Sequence, residues 1–260
     1  MALLEINDLT IRFGGLTAVD HFKCKVETGE IVSIIGPNGA GKTTVFNMIT
    51  GVYEYSEGDI LFEGHSLKGK SMQSIVELGI SRTFQNLRLF RDMRVIENVL
   101  VGSHCKTKYN YFDLLFRTKR FKQEEWCTIQ RAINILESIG FTEDMINAYS
   151  DSLPYGSQRR LEIARAIASG AKLILLDEPA AGMNEAETAN LLAFVRQLRE
   201  DGYTILLIEH DMKMVMNISD RIYVLDHGKL ISSGLPSEVA NDPLVVEAYL
   251  GKEYKDDSIA

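Results

Sequence analysis

The chain has 260 residues, 45% hydrophobic and 25% charged, an ordinary balance for a folded protein that excludes wholesale disorder, collagen and a long coiled coil. Its formal net charge of −8 argues against nucleic acid as a partner, since general binding needs an excess of Lys and Arg. The longest purely apolar runs, such as Leu173–Leu176 and Ile205–Ile208, fall far short of the ~20 residues that span a bilayer. No basic segment followed by an apolar core opens the chain, so the expected location is the cytoplasmic side. Three cysteines, Cys24, Cys105 and Cys127, fit neither a disulfide frame nor a zinc site and read as reduced thiols.

Leu4, Ile6, Leu9 and Ile11 are interleaved with polar residues, and Ala18–Val26 repeats the pattern. Half-buried antiparallel strands have this period of two. After the turn Thr28-Gly29-Glu30, the short β-branched run Ile31–Ile35 suits a strand buried on both faces. A glycine-rich loop follows, then a helix over Thr43–Thr50 that Gly51 stops. Gly58–Gly64 reads as a strand and turn, and Ser71–Leu78 as a helix ending at Gly79. From Leu87 to Ser152 the pattern is helical and more polar. Asn98–Val101 fits a helix, and Trp126, Ile129, Ala132, Ile133 and Leu136 predict one apolar face over Trp126–Gly140. Between them, Ser103–Glu125 is rich in Lys, Arg and aromatics. Further on come a helix Leu161–Ser169, a buried strand Leu173–Leu176, a helix Glu185–Glu200 and a buried strand Thr204–Ile208. A hairpin over Ile222–Ser233 turns at Asp226-His227-Gly228-Lys229. Pro236–Leu250 is predicted helical, and a polar tail ends the chain. Buried strands alternating with helices imply an α/β fold with a mainly parallel sheet.

Gly36-Pro37-Asn38-Gly39-Ala40-Gly41-Lys42-Thr43 matches G-x-x-x-x-G-K-[ST] between a buried strand and a helix, where a phosphate-binding loop belongs. Glycines let the backbone wrap phosphate oxygens, and the amides and the helix N-terminus point at the anion. Lys42 adds a positive charge for the β- and γ-phosphates, Thr43 offers its hydroxyl to Mg²⁺, and Thr44 completes the phosphate-contacting set. Leu173-Ile174-Leu175-Leu176-Asp177-Glu178 then brings two carboxylates to a strand's C-terminal end, where α/β sheets hold ligands. Asp177 is suited to hold Mg²⁺ through water, and Glu178 to polarise an attacking water as general base.

With these residues the chain resembles the ATP-binding-cassette (ABC) ATPases over essentially its whole length. The resemblance implies a P-loop fold with a mainly parallel core sheet, an N-terminal antiparallel β subdomain and an inserted α-helical subdomain. The whole of residues 1–260 forms one cassette, with about 1–86 and 161–260 making the core and antiparallel part. About 87–160 makes the helical part, with the family's signature at its end. Phe13 matches the aromatic that stacks on adenine. Gln85 matches the glutamine that links metal and water to the helical part, and His210 the switch histidine that senses γ-phosphate. Leu153-Pro154-Tyr155-Gly156-Ser157-Gln158 occupies the signature's place. In this family Pro154, Tyr155, Gly156 and Ser157 would complete the ATP site of a second cassette packed head to tail. The chain departs from the pattern at Pro154, Tyr155, Ser157 and Asn184. Pro154 supplies neither hydroxyl nor N–H, which weakens the site that the signature completes, and Ser157 is expected to cap the helix Gln158–Ser169.

A narrower resemblance is to the ATP-binding subunits of bacterial branched-chain amino-acid importers. It rests on Leu153–Arg165, Ala181–Asn184, Ile208–Lys213, Thr83–Phe90 and Ala248–Gly251. It implies ATP and Mg²⁺ as cofactors and a peripheral place on the cytoplasmic side of the inner membrane. The implied partners are a second ATPase subunit, two integral-membrane permeases and, indirectly, an external substrate-binding protein. Leu87, Leu89, Phe90 and Met93 then read either as a groove for a permease helix or as part of the chain's own core. The basic run Arg117–Lys122 reads as a solvated face, with anionic lipid as the other reading. Other cargoes (urea, amides, lipopolysaccharide) and a soluble cassette ATPase outside transport stay open at this point.

Overall fold

The computed structural model describes residues 2–106 and 111–250. The polar tail, Gly251 and four residues of the 103–125 insert lie outside the described residues.

Two long strands, β1 (Ala2–Phe13) and β2 (Leu16–Glu27), pair antiparallel, and β4 (Glu57–Phe62) and the short β5 (His65–Ser66) extend them into a four-stranded sheet of order β2-β1-β4-β5. The second sheet has the order β10-β9-β3-β8-β7-β6. Its strands β3 (Ile31–Ile35), β6 (Ile80–Arg82), β7 (Leu173–Asp177), β8 (Thr204–Ile208) and β9 (Arg221–Asp226) run parallel, and β10 (Lys229–Gly234) returns antiparallel from β9.

The continuous apolar runs are explained by burial on both faces. Every residue of β3, β7 and β8 is buried. Val32, Ile34, Leu173, Leu175, Leu206 and Ile208 face a core shared with the antiparallel sheet and α1 (Lys42–Ile49). Ile31, Ile174, Leu176, Ile205 and Leu207 face the opposite core, built with the helices of the other side. In chain order the next helices are α2 (Met72–Leu78), α3 (Val95–Ser103), α4 (Tyr111–Leu115), α5 (Lys119–Ser138) and α6 (Glu143–Asn147). They are followed by α7 (Tyr155–Ala168), α8 (Glu185–Glu200) and α9 (Met212–Ile218). Among the described residues no helix is long and apolar enough to cross a membrane.

Several expectations are corrected here. Helix α5 begins at Lys119, where the Thr118 hydroxyl accepts from the Phe121 amide; its polar first turns carry no apolar period to read. Its predicted apolar face is only partly used. Ala132 and Leu136 are buried, but Trp126 is 61% exposed, because α5 presents only part of that stripe to its neighbours. Helix α7 begins at Tyr155, with Pro154 as N-cap and its carbonyl accepting from the Gln158 amide. Ser157 therefore sits in the first turn, where it makes no capping hydrogen bond. Strand β6 and helix α9 were not anticipated: β6 is three residues long, too short for periodicity. Of the thiols, all three are free, and burial pushes the Cys24 thiol far up, which makes it inert.

Candidate functional site

The loop after β3, the residue that follows β7, the start of β2 and the turn between β9 and β10 enclose a cavity of about 340 Å³. The loop after β3 needs its glycines. Gly36 and Gly41 have φ of 149° and 104°. A Cβ on Gly36 would lie 2.0 Å from the Leu225 carbonyl oxygen, and one on Gly41 2.7 Å from that of Ala18. Only glycine permits both the backbone angle and the close approach. Asn38 to Thr44 line the cavity, with Glu178 across from them. Leu16, Thr17, Ala18, His227 and Gly228 complete the wall, and none of these five was singled out in the sequence. Their place is fixed by the tertiary fold: the Asp20 amide donates to Gly228 O and the Gly228 amide to Ala40 O.

Lys42 folds back on its own loop. Its Nζ donates to the carbonyls of Gly36 (2.7 Å) and Pro37 (3.0 Å). Burial pushes its pKa down, and the carboxylates of Glu178 and Asp177 partly oppose that shift. A buried ammonium whose hydrogen bonds go only to neutral carbonyls can still take an anion as its bonded partner.

Asp177 ends β7 and is buried. Its Oδ2 accepts from Arg82 Nη2 at 2.6 Å. Glu178 is the next residue and adopts φ of 45°, an uncommon left-handed conformation for a side chain of this type. Its amide still continues the ladder by donating to Ile208 O, so the turn re-aims the side chain directly after the strand. Gln85 Nε2 donates to Glu178 Oε2 at 2.7 Å, and His210 Nδ1 lies 3.9 Å from the same oxygen. The structure thus brings Gln85, Glu178 and His210 together.

Behind His210 sits Glu209, 1% exposed. One oxygen accepts from the Ala180 amide (3.0 Å) and the other from the His210 amide (3.2 Å). It ties the loop after β7 to the loop after β8. Burial raises its pKa, against the two amides and His210, with Glu178 adding to the rise. A second missed pair is Arg159 and Glu162, fully buried on α7 and 2.8 Å apart. Arg159 also donates to the carbonyls of Phe84 and Gln85, so α7 grips the segment that carries Gln85. Neither Glu209 nor Arg159 carries a periodic signal: Glu209 directly follows β8, and Arg159 stands among other charged residues of α7.

Other expected site residues lie apart. Phe13 is 45% exposed, packs edge-on against Tyr53 at 5.3 Å, and is not among the lining residues. Pro154, Gly156 and Ser157 line a separate depression with Arg160 and Glu187, and the Tyr155 hydroxyl donates to Ala181 O. None of the four reaches the cavity around Lys42. After Gln85, Leu87 and Leu89 are half-buried, whereas Phe90 and Met93 are exposed; Leu89 packs on the helical core. Leu89 thus belongs to the chain's own core, and Phe90 and Met93 do not.

Residues 19–181 match the family described as ABC transporter, and residues 229–255 that described as branched-chain amino acid ATP-binding cassette transporter. The chain is 48% identical over 251 residues to the high-affinity branched-chain amino acid transport ATP-binding protein LivG of Escherichia coli, covering 96% of this chain and 98% of that protein. It is 46% identical to BraF of Pseudomonas aeruginosa over the same shares. Among solved structures, the ADP conformation of an ATP-binding cassette of an ABC transporter superposes with a TM-score of 0.84 at 33% identity, covering 97% of this chain and all of that one. Likeness of this extent takes in the whole cavity, both carboxylates and the helix that opens at Pro154, and on it the chain belongs to the ABC transporter family of ATP-binding cassettes.

Proposed function

We propose that the chain is the ATP-binding and hydrolysing subunit of an importer for branched-chain amino acids. One observation carries this reading: a loop of backbone amides with a buried lysine faces the two carboxylates at the end of β7. The β- and γ-phosphates of ATP fit between them, held by the loop amides, the N-terminus of α1 and Lys42, with Thr44 adding its hydroxyl. The anion gives Lys42 the charged partner that the carbonyls of Gly36 and Pro37 cannot supply.

The hydroxyl of Thr43, the carboxylate of Asp177 and the amide oxygen of Gln85 are hard oxygen donors that suit Mg²⁺, which keeps several of its own waters. No cluster of three or more His, Cys, Asp or Glu residues among the described ones offers a different metal site. When bound, Mg²⁺ supplies neutralisation of the charge on the β- and γ-phosphates. Glu178 then orients the attacking water and accepts its proton. Its backbone turn aims the carboxylate, Gln85 holds one of its oxygens by a hydrogen bond, and His210 stands 3.9 Å from that same oxygen. In this reading His210 senses the γ-phosphate, and Phe13, exposed outside the lining of the cavity, stacks on adenine.

Pro154 to Ser157 open a 14-residue helix outside the chain's own cavity. This placement supports a head-to-tail pair in which each signature closes the ATP site of the other cassette. ATP then stabilises the closed pair, and hydrolysis releases it. In this reading residues of about 87–160 form the part that moves against the core. Two permeases form the pathway on the membrane side, an external binding protein delivers the cargo, and the cassette sits peripherally on the cytoplasmic face. Cargo specificity is carried over from LivG and BraF, because the amino acid never touches this subunit.

Glu178→Gln tests the assignment. Hydrolysis by the assembled complex should fall at least about 100-fold, with nucleotide binding kept and the closed pair trapped. Normal turnover would overturn it. Leucine uptake by vesicles holding the cassette with its permeases tests the cargo.

A further inference from the structure

Arg82, at the end of β6, has a side chain only 6% exposed. A buried guanidinium is costly unless paired, and its carboxylate partner is Asp177, 2.6 Å from Nη2. Its Nη1 donates to Asn47 Oδ1 at 2.7 Å, and Asn47 belongs to α1, the helix that begins at Lys42 and Thr43. The plane of the group lies by the rings of Phe46 and Phe84, 5.5 and 5.2 Å from their centroids. Its Nε is buried without a partner, so two hydrogen bonds and two rings hold it against an unsatisfied donor.

We propose that Arg82 is a positioning residue that orients Asp177 for the magnesium–nucleotide complex. The inference rests on the reading of Asp177 as the group that holds the metal's water. The guanidinium, tied to Asn47 through Nη1, holds the Oδ2 of Asp177 through Nη2 and so restricts rotation of that carboxylate. The bond to Asn47 sets the spacing between that carboxylate and the helix carrying Lys42 and Thr43. Mg²⁺ demands near-ideal octahedral geometry, so small rotations of Asp177 matter to the metal. They matter little to nucleotide alone, which the loop amides and Lys42 hold. Lysine at this position keeps the charge but has no planar fork with which to bond Asp177 and Asn47 in the same geometry.

The experiment uses the full-length chain and a non-hydrolysable ATP analogue, titrated calorimetrically in EDTA and across MgCl₂ concentrations. Arg82→Lys should leave the affinity in EDTA within twofold of wild type and raise the Mg²⁺ needed for half-maximal tightening at least fivefold. Arg82→Gln, which leaves no buried cation, should do the same and serves where the lysine variant does not fold. Equal losses with and without Mg²⁺ would make Arg82 a merely structural residue and overturn the proposal. Asp177→Asn separates the two readings. If it abolishes the Mg²⁺ response while both Arg82 variants leave it unchanged, Arg82 has no positioning role and Asp177 keeps its own. If it leaves the response intact, the reading of Asp177 falls, and the proposal with it.

Discussion

Replacing Arg159 with methionine should be among the most damaging single changes outside the nucleotide cavity. Arg159 is fully buried, pairs with Glu162 at 2.8 Å, and donates to Phe84 O at 2.7 Å and Gln85 O at 2.8 Å. Methionine fills much of the volume but leaves Glu162 as a buried charge and two carbonyls without their donors. Breaking a buried pair from one side costs about 3–5 kcal/mol. Arg165, whose charge interacts with Glu162, keeps the loss toward the lower end of that range. The accompanying fall in Tm is about 6–20 °C at ~2–4 °C per kcal/mol for a domain of this size. Arg159→Lys keeps the charge but cannot span both carbonyls, and should cost about 1.5–3 kcal/mol. Adding Glu162→Gln to Arg159→Met removes the orphan carboxylate and should recover part of the loss. Urea midpoints followed by ellipticity measure all three. The reasoning is refuted if Arg159→Met stays within about 1 kcal/mol of wild type, or if the second change deepens the loss. In function, the segment carrying Gln85 would be loosened from α7, so hydrolysis should fall more than nucleotide affinity.

Two further perturbations test other parts of the site. Gly36→Ala sets a Cβ against the Leu225 carbonyl at 2.0 Å, backbone against backbone, at φ of 149°. It should destabilise by about 3 kcal/mol or more and abolish nucleotide binding; a denaturation midpoint and nucleotide binding near wild type would contradict the close approach of β3 and β9. Glu209→Gln sets an amide NH₂ against one of two backbone N–H groups, costing about 1.5–3 kcal/mol. Because the Glu209 pKa is raised in the folded state, the native protein takes up this proton more readily than the unfolded chain. Its contribution to stability is full below about pH 4.3 and is lost as pH rises through the folded value. The stability gap between wild type and Glu209→Gln should therefore narrow from pH 4.5 to 7 in urea titrations, and a constant gap would refute the burial argument.

The phosphate loop was legible because its chemistry is local: glycines, Lys42 and Thr43 fall in a fixed spacing between two elements that each announce themselves. The same holds for Asp177 and Glu178, since a run of four apolar residues ending in two acids has few other uses beside such a loop. Helix α8 matches its predicted span, Glu185–Glu200, and the structure shows what sets its start: Asn184 and Glu187 cap each other reciprocally. Helix α9 is capped by Asp211, whose side chain accepts from the Lys213 and Met214 amides, but its seven residues are too few to show a period.

Neighbours within a few residues therefore carried the phosphate loop, the helix stop at Gly79 and the strands buried on both faces, but not the start of α7, where Pro154 and not Ser157 is the N-cap. The tertiary structure alone decided which distant residues share a charge or a hydrogen bond. Arg82 meets Asp177 across 95 residues, Arg159 meets Gln85 across 74, and Glu209 meets Ala180 across 29. Strand order set those meetings, and strand order comes from packing whole elements into one sheet. Ionic and hydrogen-bond partners are chosen over a few ångströms of space, and separation along the chain carries no trace of that choice.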